Sequence, residues 1–174
     1  MKVIKAPVSD EDILSLKAGE EVLVEGIVYA ARDAAHKRMV EALQRREPLP
    51  FAIEGQIIYY VGPCPAPPGK VIGSAGPTTS GRMDSYTPPL LSRGLKVMIG
   101  KGERSPEVVE AMKRYKAVYL ATIGGAGVYL AHKVKEVETI AYEDLGPEAL
   151  RKFRVENFPC IVAIDAAGNN IYNR

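Results

Sequence analysis

Apolar residues first gather at Val22, Leu23, Val24, Ile27, Val28 and Tyr29, a β-branched-rich run that predicts a strand ending at Ala31-Arg32-Asp33. Ala35, Met39, Val40 and Leu43 then recur at helical spacing, with Asp33 as the expected N-cap and Pro48-Leu49-Pro50 as the break. Phe51, Ile53 and the run 57–61 predict a second strand region, bent at Gly55. Ahead of all this, residues 1–20 read as an extended arm. Ser9 there caps a single turn carrying Ile13, Leu14 and Leu16.

The second half alternates more regularly. Thr87, Pro88 and Gly94 mark the cap, first turn and stop of a short helix, and 96–99 follow as a strand. Ser105 and Pro106 open the next helix, whose buried stripe is Val108, Val109 and Met112. A strand over 117–121, a helix to about 134 and a strand around Val137, Ile140 and Tyr142 come next. A helix over 147–154 and a last strand over 160–164 complete the pattern. Strands alternating with helices imply an α/β fold with parallel pairs, and the β-richer first half adds a further layer. The expectation is a single domain over 1–174, three-layered as β/β/α, with a partly parallel sheet.

Composition narrows the function more by exclusion than by assignment. A chain of 174 residues with 47% hydrophobic and 25% charged residues is of ordinary globular character. Its net charge of +2 and lack of a basic run give no case for nucleic acid. No segment is long and apolar enough to span a bilayer, and residues 1–7 lack a signal peptide's apolar core, so a cytoplasmic location is expected. Cys64 and Cys160 read as buried thiols, and with His36 and His132 they have no metal-ligand spacing. Gly69-Lys70 is no phosphate loop: its spacing is wrong and the flanking prolines remove amide donors.

The chemistry-bearing stretch is Gly76-Pro77-Thr78-Thr79-Ser80-Gly81-Arg82-Met83-Asp84. It combines consecutive hydroxyls and an arginine between glycines, without a core's periodicity. Such a loop can grip a carboxylate or oxyanion, and the same residues also suit a solvated turn. Arg32, Thr78, Thr79, Arg82, Lys101 and the glycines near Gly124 all fall where a strand yields to a helix, the ends that line ligand crevices in open α/β sheets. Arg32 by itself could equally bridge to Asp33 or face solvent, and His36 reads as a surface or hydrogen-bonding histidine. Three cations with hydroxyls suit a small dicarboxylate, which needs a clamp at each end.

These motifs, with Ala31-Arg32-Asp33-Ala34-Ala35-His36-Lys37 upstream and Ile99-Gly100-Lys101-Gly102 downstream, resemble the β region of class I fumarate hydratases and the related L(+)-tartrate dehydratase β subunits. The likeness runs from about Pro7 to Tyr172. It implies a swivelling β/β/α domain that pairs with a separate α subunit, whose three cysteines hold a 4Fe–4S cluster. It also implies reversible hydration of fumarate to (S)-malate, with tartrate dehydration as the alternative. A non-catalytic module of the same fold is the reading from another class. The resemblance places Arg32, Arg82 and Lys101 on the substrate carboxylates, Thr79 as a hydroxyl contact and Thr78 as the base at C3, with no metal ligand in this chain. A hydroxyl is a poor base unless nearby cations favour its deprotonation. Stoichiometry, and pairing of the chain with itself, stay open.

Overall fold

The computed structural model describes residues 1–63, 65–123 and 127–173. The fold is organised on strand β2 (Glu21–Ala30), whose Val22, Val24, Val28 and Ala30 are buried. One side of β2 pairs in parallel with β1 (Lys2–Lys5) along its first half and with β3 (Ile57–Tyr59) at its end. Its other side pairs antiparallel with β7 (Leu150–Ile164) from end to end. Strands β4 (Val97–Gly100) and β5 (Val118–Thr122) extend the parallel set, and β5 pairs antiparallel with β7. β6 (Val134–Ala141) adds to β7 beside its first residues. Because β7 meets both β2 and β5, the seven-stranded sheet closes on itself through β2-β3-β4-β5-β7.

Closure explains why the central strands read as unbroken apolar runs, since both faces are covered. Ile57, Tyr59, Val97, Ile99, Val118 and Leu120 join Phe153, Val155 and Val162 in one core. Their neighbours Ile58, Tyr60, Met98 and Tyr119 point the other way, into a second core with Met39, Leu90, Leu91 and Met112. Those last residues come from helices α2 (Asp33–Gln44), α3 (Thr87–Ser92) and α4 (Pro106–Tyr115). The short helices α1 (Asp10–Leu14) and α5 (Gly127–Ala131) send Ile13 and Leu130 to the first core. No helix among the described residues is long and apolar enough to cross a membrane.

The mixed α/β class and partly parallel sheet are as expected, and several elements match closely. Ser9 and Ser105 accept from the amides of Asp12 and Val108 as N-caps, and Pro106 opens α4. Three expectations are corrected. The window 147–154 is not helical: a 3-10 segment Glu143–Glu148 leads into β7, because Leu150, Phe153 and Val155 bury while β2 and β6 pair on either side. The preceding helix stops at Ala131 instead of 134, and β6 begins there. Thr87 does not cap α3. It is the helix's first residue, and its hydroxyl donates back to the Met83 carbonyl at 2.8 Å.

Candidate active site at the strand ends

The parallel strands β2, β3 and β4 all deliver their C-terminal ends to one edge of the sheet. Ala31 donates to the Tyr59 carbonyl and Tyr60 to the Ile99 carbonyl, which sets the three ends side by side. Segment 78–80 returns onto that edge: Thr78 N–H donates to the Tyr60 carbonyl at 2.7 Å and Ser80 N–H to the Lys101 carbonyl at 2.8 Å. Thr79 and Lys101 are thereby partners in a parallel bridge. The chain then winds into a 3-10 helix, Ser80–Tyr86, where the sequence had promised only a loop. That helix carries Arg82 toward α2, where its Nε donates to Asp33 Oδ2 at 3.0 Å.

All five anticipated residues therefore reach one edge. Thr79, Arg82 and Lys101 are exposed, while Thr78 and Arg32 are half-buried. Arg32 stands at the N-cap position of α2 but caps nothing with its side chain. Asp33, expected as that cap, is instead the first helical residue, and it pairs with Arg82 and not with Arg32. Arg32 lies along Gly62, where an added Cβ would come within 2.6 Å of its Cδ and 2.9 Å of its Nη1. Its Nε is buried and meets no acceptor among the described residues, and Asp33 Oδ1 is buried and meets no donor among them. A buried donor left unpaired is costly. The Gly124-Gly125-Ala126 turn and Cys64 lie outside the described residues.

His36 is fully buried, not on the surface. Its Nδ1 lies 2.7 Å from the Arg32 carbonyl and must donate to it, so Nε2 is the unprotonated nitrogen. Burial pulls its pKa from 6.5 to about 4, against the raising effect of the Arg32 carbonyl, so the ring is neutral near pH 7.

Beneath the edge lies a polar network that reading the sequence missed. Arg104, its side chain fully buried, donates from Nε to Asp84 Oδ1 at 2.7 Å and from Nη2 to the hydroxyls of Tyr60 at 3.1 Å and Thr87 at 2.9 Å. Asp84 Oδ2 accepts from Ser105 N–H at 2.9 Å. The Arg104 guanidinium also lies over the rings of Tyr60 and Tyr119, at 5.2 and 4.9 Å. Each member looks ordinary locally. The one sequence signal is that Arg104 immediately precedes a helix cap and Asp84 closes the hydroxyl-rich motif.

Arg32, Arg82 and Lys101 face this edge with the carboxylates of Asp33 and Glu148, the latter accepting from Ala34 N–H at 3.2 Å. A family model described as Fumarase C-terminus matches residues 2–174. Fumarate hydratase 2 of Leishmania major is 38% identical over 98% of this chain and 31% of its own length. The aerobic class I fumarate hydratase of Salmonella typhimurium is 42% identical over 86% of this chain and 26% of its own length. A protein of Methanocaldococcus jannaschii, designated provisionally as an L(+)-tartrate dehydratase subunit beta, is 39% identical over 93% of this chain and 86% of its own length. The chain thus spans under a third of these two fumarate hydratases and most of the tartrate-type subunit.

Proposed function

Because the chain belongs to the Fumarase C-terminus family, we propose that it supplies the dicarboxylate-binding half of a hydro-lyase that hydrates fumarate reversibly to (S)-malate. The observation that carries this reading is the placement of Arg32, Arg82 and Lys101 at one strand edge, beside the hydroxyl-bearing Thr78 and Thr79. Arg82 spends its Nε on Asp33, which orients the guanidinium and leaves both Nη groups for a bidentate carboxylate. Lys101, held opposite Thr79, takes the second carboxylate as a point charge, and the Thr79 hydroxyl adds a directional contact.

In the dehydration direction, Thr78 as the alkoxide accepts the C3 proton of malate as hydroxide leaves C2, and passing that proton to the hydroxide gives water and restores the alkoxide. In hydration Thr78 returns a proton to C3. A threonine hydroxyl serves only where positive charge favours its deprotonation, and the adjacent cations have that sign. Family resemblance implies a 4Fe–4S cluster for the hydroxide. The donors here do not fit one: no three His, Cys, Asp or Glu side chains gather among the described residues. Cys160 is buried, and burial pushes its thiol up, away from the thiolate a cluster needs. The cluster therefore belongs, in this reading, to an α subunit, against which this swivelling β/β/α domain packs.

Replacing Arg82 with Ala tests the clamp. Truncating one partner of a hydrogen-bonded charge pair that is buried on binding costs about 2–5 kcal/mol, so with substrate enclosed in the reconstituted complex kcat/KM for fumarate should fall about 30-fold or more. Unchanged kinetics with normal folding would remove the clamp. Tartrate dehydration is the second reading, favoured by the tartrate-type subunit that this chain matches over 86% of its length. Assaying the complex with fumarate and L(+)-tartrate in parallel separates the two. Recovery of no partner and turnover of neither diacid would leave a binding module.

A further inference from the structure

The backbone bridge between Thr79 and Lys101 is braced from below, where one buried hydroxyl joins both of its sides. Tyr119, on β5, is buried in the second core and carries no anticipated role. Its hydroxyl donates to the Gly102 carbonyl at 2.8 Å. The Ser80 Oγ lies 2.7 Å from the same oxygen. A phenol has one proton, and the Gly102 carbonyl can only accept, so the Ser80 hydroxyl must be the donor in the second bond. Ser80 directly follows Thr79, and Gly102 directly follows Lys101. The Tyr119 oxygen thus ties the residue after one clamp member to the residue after the other, below the bridge in which Thr79 and Lys101 pair.

The surroundings fix that oxygen in place. Arg104 lies against the face of the Tyr119 ring while being held by Asp84 and Thr87, so the ring cannot swing without disturbing the 3-10 helix that carries Arg82. Burial raises the Tyr119 pKa well above the usual phenol range, so the group stays a hydroxyl at any working pH. Gly100 leaves the room this arrangement needs: a Cβ there would stand 2.0 Å from the Ser80 Oγ.

We propose that Tyr119 is a positioning residue of the site, bracing the Thr79–Lys101 bridge through its paired hydrogen bonds to Ser80 and Gly102. This rests on the dicarboxylate-clamp reading. Tyr119 touches no substrate, so its loss alters how well the clamp fits in ground and transition states alike, an effect that falls on KM more than on kcat.

The test is Tyr119→Phe in the reconstituted two-chain complex, with Ser80→Ala, their double variant and Arg82→Ala assayed beside it. Phenylalanine keeps the ring and its contact with Arg104 while removing both hydrogen bonds. Expected is a rise of about tenfold in KM for the dicarboxylate, kcat within about threefold, and a thermal midpoint within a few degrees. Ser80→Ala should raise KM similarly, and the double variant should be little worse than Tyr119→Phe, because both remove one shared bond. An unchanged KM in Tyr119→Phe and Ser80→Ala, with Arg82→Ala impaired, overturns the positioning role and leaves the clamp standing. If Arg82→Ala is also unimpaired, the clamp falls and the positioning role with it. Equal losses in kcat and KM that track a collapsed melting midpoint would mark Tyr119 as structural only.

Discussion

At the scale of single residues, His36 and Gly100 make the sharpest statements. His36 is neutral and buried, and its folded pKa of about 4 lies below the 6.5 of the unfolded chain. Between those values the unfolded state binds a proton that the folded state refuses, so stability falls as pH drops from about 6.5 toward 4 and is fully present above that window. Urea denaturation across this range should show a slope of up to one proton taken up on unfolding, which His36→Gln should flatten. Gly100 is demanded by a close approach: a Cβ would meet the Ser80 Oγ at 2.0 Å and Tyr60 Cδ2 at 2.8 Å. Ser80 is pinned by Tyr119 and cannot step aside. Gly100→Ala should cost about 1–3 kcal/mol of stability by denaturant titration. The same residues show what a sequence conceals. That Arg32, Thr78, Thr79, Arg82 and Lys101 share one sheet edge was legible, because strand-to-helix junctions place them together. Tyr119, Asp84 and Arg104 were not, since their meaning lies in contacts 20 and 39 residues apart along the chain.

Among elements, β7 carries most of the topology and was read least well. Its first part resembles a helix in sequence: Pro147 can open one, and Leu150 and Phe153 recur at a spacing of three. Period two through Phe153 and Val155 and, past a register shift, through Phe158, Cys160 and Val162 identifies a strand only when both sides find partners, and those partners, β2, β5 and β6, are remote in sequence. By contrast α4 was plain, because Ser105 and Pro106 announce it locally and Val108 and Met112 give its stripe. Since β7 closes the sheet, Phe153→Ala, which empties a fully buried site in the first core, should cost about 3–5 kcal/mol in an equilibrium unfolding titration. A loss under about 1 kcal/mol would show that the closure contributes little.

On the scale of the whole molecule, the sheet presents its strand ends and the cationic edge on one side, with the buried Arg104 network bracing them from below. The chain matches its fumarate hydratase relatives over under a third of their length, while the tartrate-type subunit is matched almost end to end. In the reading proposed above, this chain contributes a site able to hold two carboxylates, and the cluster chemistry comes from a partner. The most direct measurement is fumarate hydration by this chain combined with a cluster-bearing partner, comparing the wild type with Arg82→Lys and Arg82→Ala. Lysine keeps the charge but loses the fork, so the expected order is wild type, then Lys, then Ala, with the Ala complex reduced about 30-fold or more and either chain alone inactive. Equal rates for the three complexes, or full activity of the partner by itself, would contradict the claim that this chain holds the substrate.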